Sequence, residues 1–155
     1  MGDIFGSLYC SLFENLFGLD LADYLWGLSS PYQTTNMYLG IGLTMTGISL
    51  AMVLLYYYFI NPAHPRWSSW FGWLVYLVVN AGLNFLVGWQ WTLNHYYAGK
   101  MVAPDATTGM EVALNIEPSD CVAFGVANML LSILFFFVLS MLLKWKSSNN
   151  FHSPF

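Results

Sequence analysis

The chain has 155 residues, of which 57% are hydrophobic and 8% charged, with a net charge of −4 at pH 7 and a mean hydropathy of +0.56. A soluble domain carries about 25% charged residues to face water. Four basic and eight acidic side chains cannot cover a body of this length, so a water-soluble globule is excluded and an integral membrane protein is predicted. So few basic groups also leave no electrostatic footprint for nucleic acid.

The opening MGDIFGSLYC has no basic run ahead of its apolar residues, which argues against a cleavable signal peptide. Gly6 stands where a myristoylation motif needs Ser or Thr. Ile4, Phe5, Leu8, Tyr9, Leu12, Phe13, Leu16 and Phe17 recur as adjacent pairs every four residues, opposite Ser7, Ser11, Glu14 and Asn15. That is the pattern of an amphipathic helix. Glu14, Asp20 and Asp23 disfavour a further span, because a charge at the bilayer centre costs about 2.5–3.5 kcal/mol. Residues 1–30 therefore read as an amphipathic, interfacial helical segment. Its polar face lacks the Lys and Arg of peripheral binders, so its apolar face meets either lipid or the protein's own spans.

Three runs have the roughly 20 apolar residues that a bilayer span needs: 38–60, 70–92 and 122–143. The first is stopped by Asn61 and Pro62, the third by Lys144 and Lys146. Tyr56, Tyr57 and Tyr58, then Trp67, Trp70 and Trp73, then Trp89 and Trp91, then Trp145 mark their borders, where aromatic residues settle at headgroup level. The predicted fold is an all-α integral membrane protein: three transmembrane helices within residues 31–146, an amphipathic segment before them and a polar tail, 147–155, after. In the loop at 93–120, the stretch KMVAPDATTGMEVALNIEPSD has short β-prone runs around a turn cluster, which predicts a small hairpin. Ser119 then reads as the N-cap of the third span.

Arg66, Lys144 and Lys146 against Lys100 alone put the short connection and the tail in the cytoplasm, with the amino terminus and the hairpin loop outside. A bacterial inner membrane suits this reading. Cys10 and Cys121 then share one face, and an oxidising compartment would permit a disulfide between them; the alternative is two unpaired small hydrophobes.

The polar residues inside the spans carry the functional question. Asn80, Asn84 and Gly88 fall at i, i+4 and i+8, on one face of a helix. Gly125, Asn128, Ser132 and Ser140 line up on the third span, and Gly40, Thr44 and Gly47 supply helix-packing positions on the first. One reading is structural: small residues let helices approach, and asparagine or serine hydrogen-bonds its neighbour across the interface for roughly 0.6–2 kcal/mol. The other is a conduit formed by a ring of copies. Asn80 and Asn84 would form neutral polar rings, and Leu83, Phe85 or Leu86 an apolar constriction that gates by dewetting.

Catalytic chemistry is missing from the pattern. His64, His95 and His152 are scattered, and no metal-ligand spacing, Gly-x-Ser-x-Gly elbow or phosphate loop occurs. Asp105, Glu111, Glu117 and Asp120 match no EF-hand. No span holds the carboxylate or histidine of a pump, and no repeated halves suggest a transporter. The sequence therefore predicts no enzyme, cofactor or metal. It predicts a small homo-oligomeric channel or pore-forming effector in contact with membrane lipid and gated by a cytoplasmic regulatory protein, as in a bacterial toxin or antiviral defence pair. The rival expectation is a non-conducting accessory or assembly subunit of a larger membrane complex.

Overall fold

The computed structural model describes residues 2–29, 35–60, 70–105 and 108–144. Among them the chain is mostly helical: α1 (Gly2–Phe17), α2 (Leu19–Trp26), α3 (Met37–Leu54), α4 (Trp70–Tyr97) and α5 (Pro118–Lys144). A two-stranded antiparallel hairpin, β1 (Val102–Pro104) and β2 (Glu111–Ala113), joins α4 to α5, with Val102 opposite Ala113 and Pro104 opposite Glu111. Three segments are long and apolar enough to cross a membrane: Met37–Ile60, Trp70–Tyr97 and Pro118–Lys144. At the hairpin end α4 and α5 extend past the apolar runs. Hydropathy marks the stretch that suits lipid, whereas the helix continues as long as its backbone hydrogen bonds do.

Local chemistry explains the boundaries. The Asn36 side chain accepts from the Tyr38 N–H at 3.0 Å and starts α3. α3 passes into a π-helical turn, Leu55–Ile60, in which the neighbours Tyr56 and Tyr57 are both buried. Neighbours on an α-helix point roughly 100° apart, so the wider turn serves to bring both rings inward. At the start of α5 the expected cap is displaced. Asp120 Oδ2 accepts from the Glu117 N–H at 2.8 Å, and Ser119 Oγ donates to Glu117 Oε2 at 3.2 Å. Pro118 holds the first helical position, where its missing N–H costs nothing. Ser119 therefore sits inside the helix, and Asp120 reaches back to Glu117 as a capping-box acidic residue does.

α1 docks lengthwise on the spans. Phe17 meets Phe124 edge-on at 5.3 Å, the Tyr9 ring lies 5.4 Å from that of Phe124, and Phe5 stacks on Phe135 at 6.4 Å. Helix α1 thus runs antiparallel to α5, with its start deeper in the bundle than its end, and fills the flank between α3 and α5. Of the two surfaces open to its apolar residues, the protein's own helices take Tyr9 and Phe17, which are fully buried, while Ile4, Leu12 and Leu16 stay exposed. Gly18, at φ 85°, lets the chain turn from α1 into α2.

Two apolar clusters make the core. The larger, at the hairpin end, gathers Tyr9, Phe17, Tyr24, Tyr38, Ile41 and Phe124; the smaller, at the opposite end, gathers Val53, Tyr56, Tyr57, Trp73 and Phe136. The candidate disulfide is not formed, and both thiols are free. Docking of α1 sets Cys10 Sγ 3.6 Å from Tyr38 Oη on α3, while Cys121 is fully buried beside Thr92. Burial also pushes the Cys10 thiol up, away from the reactive thiolate.

Candidate functional site

Asn80, Asn84, Asn128 and Ser132 are all fully buried, and Gly88 is buried with them. They form one ladder across the α4/α5 seam. Tyr9 Oη donates to Asn128 Oδ1 at 2.5 Å, and Asn128 Nδ2 donates to the Asn84 carbonyl at 2.6 Å. Asn84 Nδ2 donates to the Asn80 carbonyl at 3.0 Å and to Asn80 Oδ1 at 3.1 Å. Asn80 Nδ2 donates to the Ser132 carbonyl at 3.3 Å, and Ser132 Oγ to that of Met129 at 2.7 Å. Among the described residues, the buried Asn84 Oδ1 and Ser49 Oγ have no hydrogen-bond partner.

Glycines make the ladder fit. A Cβ on Gly88 would lie 2.8 Å from Asn128 Cβ, so the missing side chain is the seat of Asn128. A Cβ on Gly125 would lie 2.9 Å from Trp89 Cβ and 3.1 Å from the Phe85 carbonyl oxygen. Gly125 is therefore a packing residue, as its stripe suggested. Thr44 is half-buried, its hydroxyl bonded to the Gly40 carbonyl at 2.8 Å. Gly40 approaches only the Trp91 ring, at 3.4 Å, and nothing lies within 4 Å of a Cβ on Gly47. Gly47 thus packs against none of the described residues. Its place on the exposed flank follows from its three-residue offset from Thr44.

The three gate candidates do not converge. Leu83 and Leu86 point outward, 42% and 51% exposed, while Phe85 stacks on Trp89 at 5.8 Å against Gly125. Asn80 and Asn84 are buried on a different side of α4 from Leu83 and Leu86. Leu83 and Leu86 instead line a groove of about 530 Å³ between α3 and α4, together with Thr44, Val87, Gln90, Trp91, Asn94 and His95.

Sequence reasoning missed three contributors. Tyr9 stood in the apolar pairs of α1, yet its hydroxyl ends the ladder. Trp73 Nε1 donates to Ser140 Oγ at 3.2 Å, joining α4 to α5 at the far end. Tyr24 Oη lies 2.9 Å from His95 Nδ1, which ties α2 to the end of α4. The only available signal was a polar atom at the tip of each aromatic side chain. His64 and His152 lie outside the described residues, as do Arg66, Lys146, the connection 61–69 and the tail 145–155. Among the described residues no group of three His, Cys, Asp or Glu side chains is placed to hold a metal ion. Compared with protein families, curated proteins and solved structures, the chain matches none of them.

Proposed function

We propose that the chain is a non-conducting integral membrane subunit, an accessory or assembly element of a larger membrane complex. One observation supports this reading above the rest: the amides that would have lined a conduit are buried inside a single protomer. Asn80 and Asn84 are fully buried; the Asn80 amide donates across the seam to the Ser132 carbonyl, and the Asn84 amide donates to Asn80 on its own helix. In this reading the protein sits in a bacterial inner membrane, with the hairpin outside and the carboxyl-terminal tail in the cytoplasm. A cytoplasmic regulatory protein docking on residues 61–69 and on the tail belongs to the rival channel reading, as its trigger.

A homo-oligomeric channel or pore-forming effector is the second reading, favoured by a different observation. Asp3, Ser7 and Ser11 form an exposed polar row along the outward side of α1. A ring of copies would use that row, and not the asparagines, as its wet lining.

Conductance across planar bilayers, measured with the purified protein, separates the two. The assembly reading expects none, together with co-purification of a larger membrane protein from the source membranes. A conductance that falls in Ser7→Leu overturns it in favour of the ring, and a conductance that falls in Asn84→Leu overturns both.

A further inference from the structure

We propose that the groove between α3 and α4 is a binding site for one phospholipid of the leaflet at the hairpin end. It rests on the membrane placement of the three spans, not on the assembly role. The groove holds about 530 Å³, within the roughly 300–1,000 Å³ of ligand sites. Its polarity changes along its length as that of a phospholipid does. Leu83, Leu86 and Val87 wall the deeper part; Gln90, Asn94 and His95 wall the part near the end of α4. The change falls beside Trp89 and Trp91 and before Tyr96 and Tyr97, the aromatic residues that settle at headgroup level.

The headgroup end is built from donors. Gln90 Nε2 donates to Asn94 Oδ1 at 3.2 Å, which orients the Asn94 amide and leaves its N–H groups for a ligand. The Tyr24 hydroxyl, 2.9 Å from Nδ1, fixes the His95 ring. Gly99, at φ 64°, closes α4, and the Lys100 N–H donates to the His95 carbonyl at 3.2 Å. Lys100 is exposed, and its charge acts on the His95 ring that lines the groove. Among the described residues no carboxylate lines the groove. Amide donors and an ammonium group above an apolar slot fit a phosphate diester with its acyl chain below. The neighbouring flank of α3 is already filled by α1.

Native mass spectrometry of the full-length protein, from micelles supplied with phosphatidylglycerol or with diacylglycerol, tests the site. The parent is expected to retain one phosphatidylglycerol per chain. Val87→Trp, which fills the slot, lowers retention by about tenfold, whereas Leu134→Trp, on an exposed position of α5, leaves it unchanged. Lys100→Gln lowers phosphatidylglycerol retention by about fivefold and leaves diacylglycerol retention as in the parent. The proposal is overturned by a parent that retains no phospholipid, by equal retention in Val87→Trp, or by equal loss in Leu134→Trp. Loss of both lipids alike in Lys100→Gln sinks the phosphate assignment. A two-chain species that Val87→Trp splits would show instead that a second copy occupies the groove.

Discussion

Helix α3 shows two flanks of similar composition and opposite fate. On one, Gly42 leaves a notch filled by the Phe5 ring, since a Cβ there would fall 2.4 Å from that ring; Tyr9 and Phe17 complete the cover. On the other, Thr44 lines a groove, a Cβ on Gly40 would lie 3.4 Å from the Trp91 ring, and Gly47 has nothing within 4 Å of a Cβ. Small residues lower the steric cost of close approach on both sides. What fills the space depends on which chain segment can reach it. Turning at Gly18 and Gly27, the α1/α2 hairpin covers the α3/α5 flank, and no described segment covers the groove on the other.

The strongest test addresses the third seam, between α4 and α5, as the reference for a fully packed contact. Gly125→Val should destabilise the fold by about 3 kcal/mol, the upper end of over-packing costs, because the new atoms meet the Phe85 carbonyl and the Trp89 Cβ. Unfolding in mixed micelles would read this, and a loss below 1 kcal/mol would show that the seam is loose.

A smaller effect is expected where the covered flank meets the ladder. Asn128→Leu removes the bond from Tyr9 and the bond to the Asn84 carbonyl, at a cost of about 1–3 kcal/mol. Tyr9→Phe removes only the first, at about 1 kcal/mol. The double variant should cost less than the sum of the two, since both changes delete the same contact. Strict additivity in the same unfolding assay would mean that the two groups do not share a bond.

The finest comparison sets the flanks against each other. Gly42→Val should displace Phe5 at about 1–3 kcal/mol and speed amide exchange over α1 while the spans stay protected. Gly47→Val, on the open flank, should stay within about 0.5 kcal/mol of the parent with α1 exchange unchanged. Equal effects would erase the distinction between the flanks.

Much of the bundle was legible in the chain. Residues 38–60, 70–92 and 122–143 sit inside the three span-length helices, because apolar length is a local property that needs no partner to be read. The shared face of Asn80, Asn84 and Gly88 was equally legible, since helical spacing fixes it. Their partners were not. That Gly88 seats Asn128, or that Tyr9 closes the ladder, depends on contacts between positions far apart in the chain, and no spacing rule spans them. Leu83, Phe85 and Leu86 show the same limit: adjacent positions on α4 point in different directions, and only the neighbours decide which is lipid-facing and which is packed.

The sequence by itself determined that this chain forms apolar helices with amides held on one side, because backbone geometry and the scarcity of charge leave no other use for such residues. Only the tertiary structure decided that those amides turn toward one another within a protomer, that α1 lies along α5, and that the two cysteines stay apart. Those outcomes depend on which helices come side by side, and a buried amide is satisfied by whichever carbonyl the packing brings within reach.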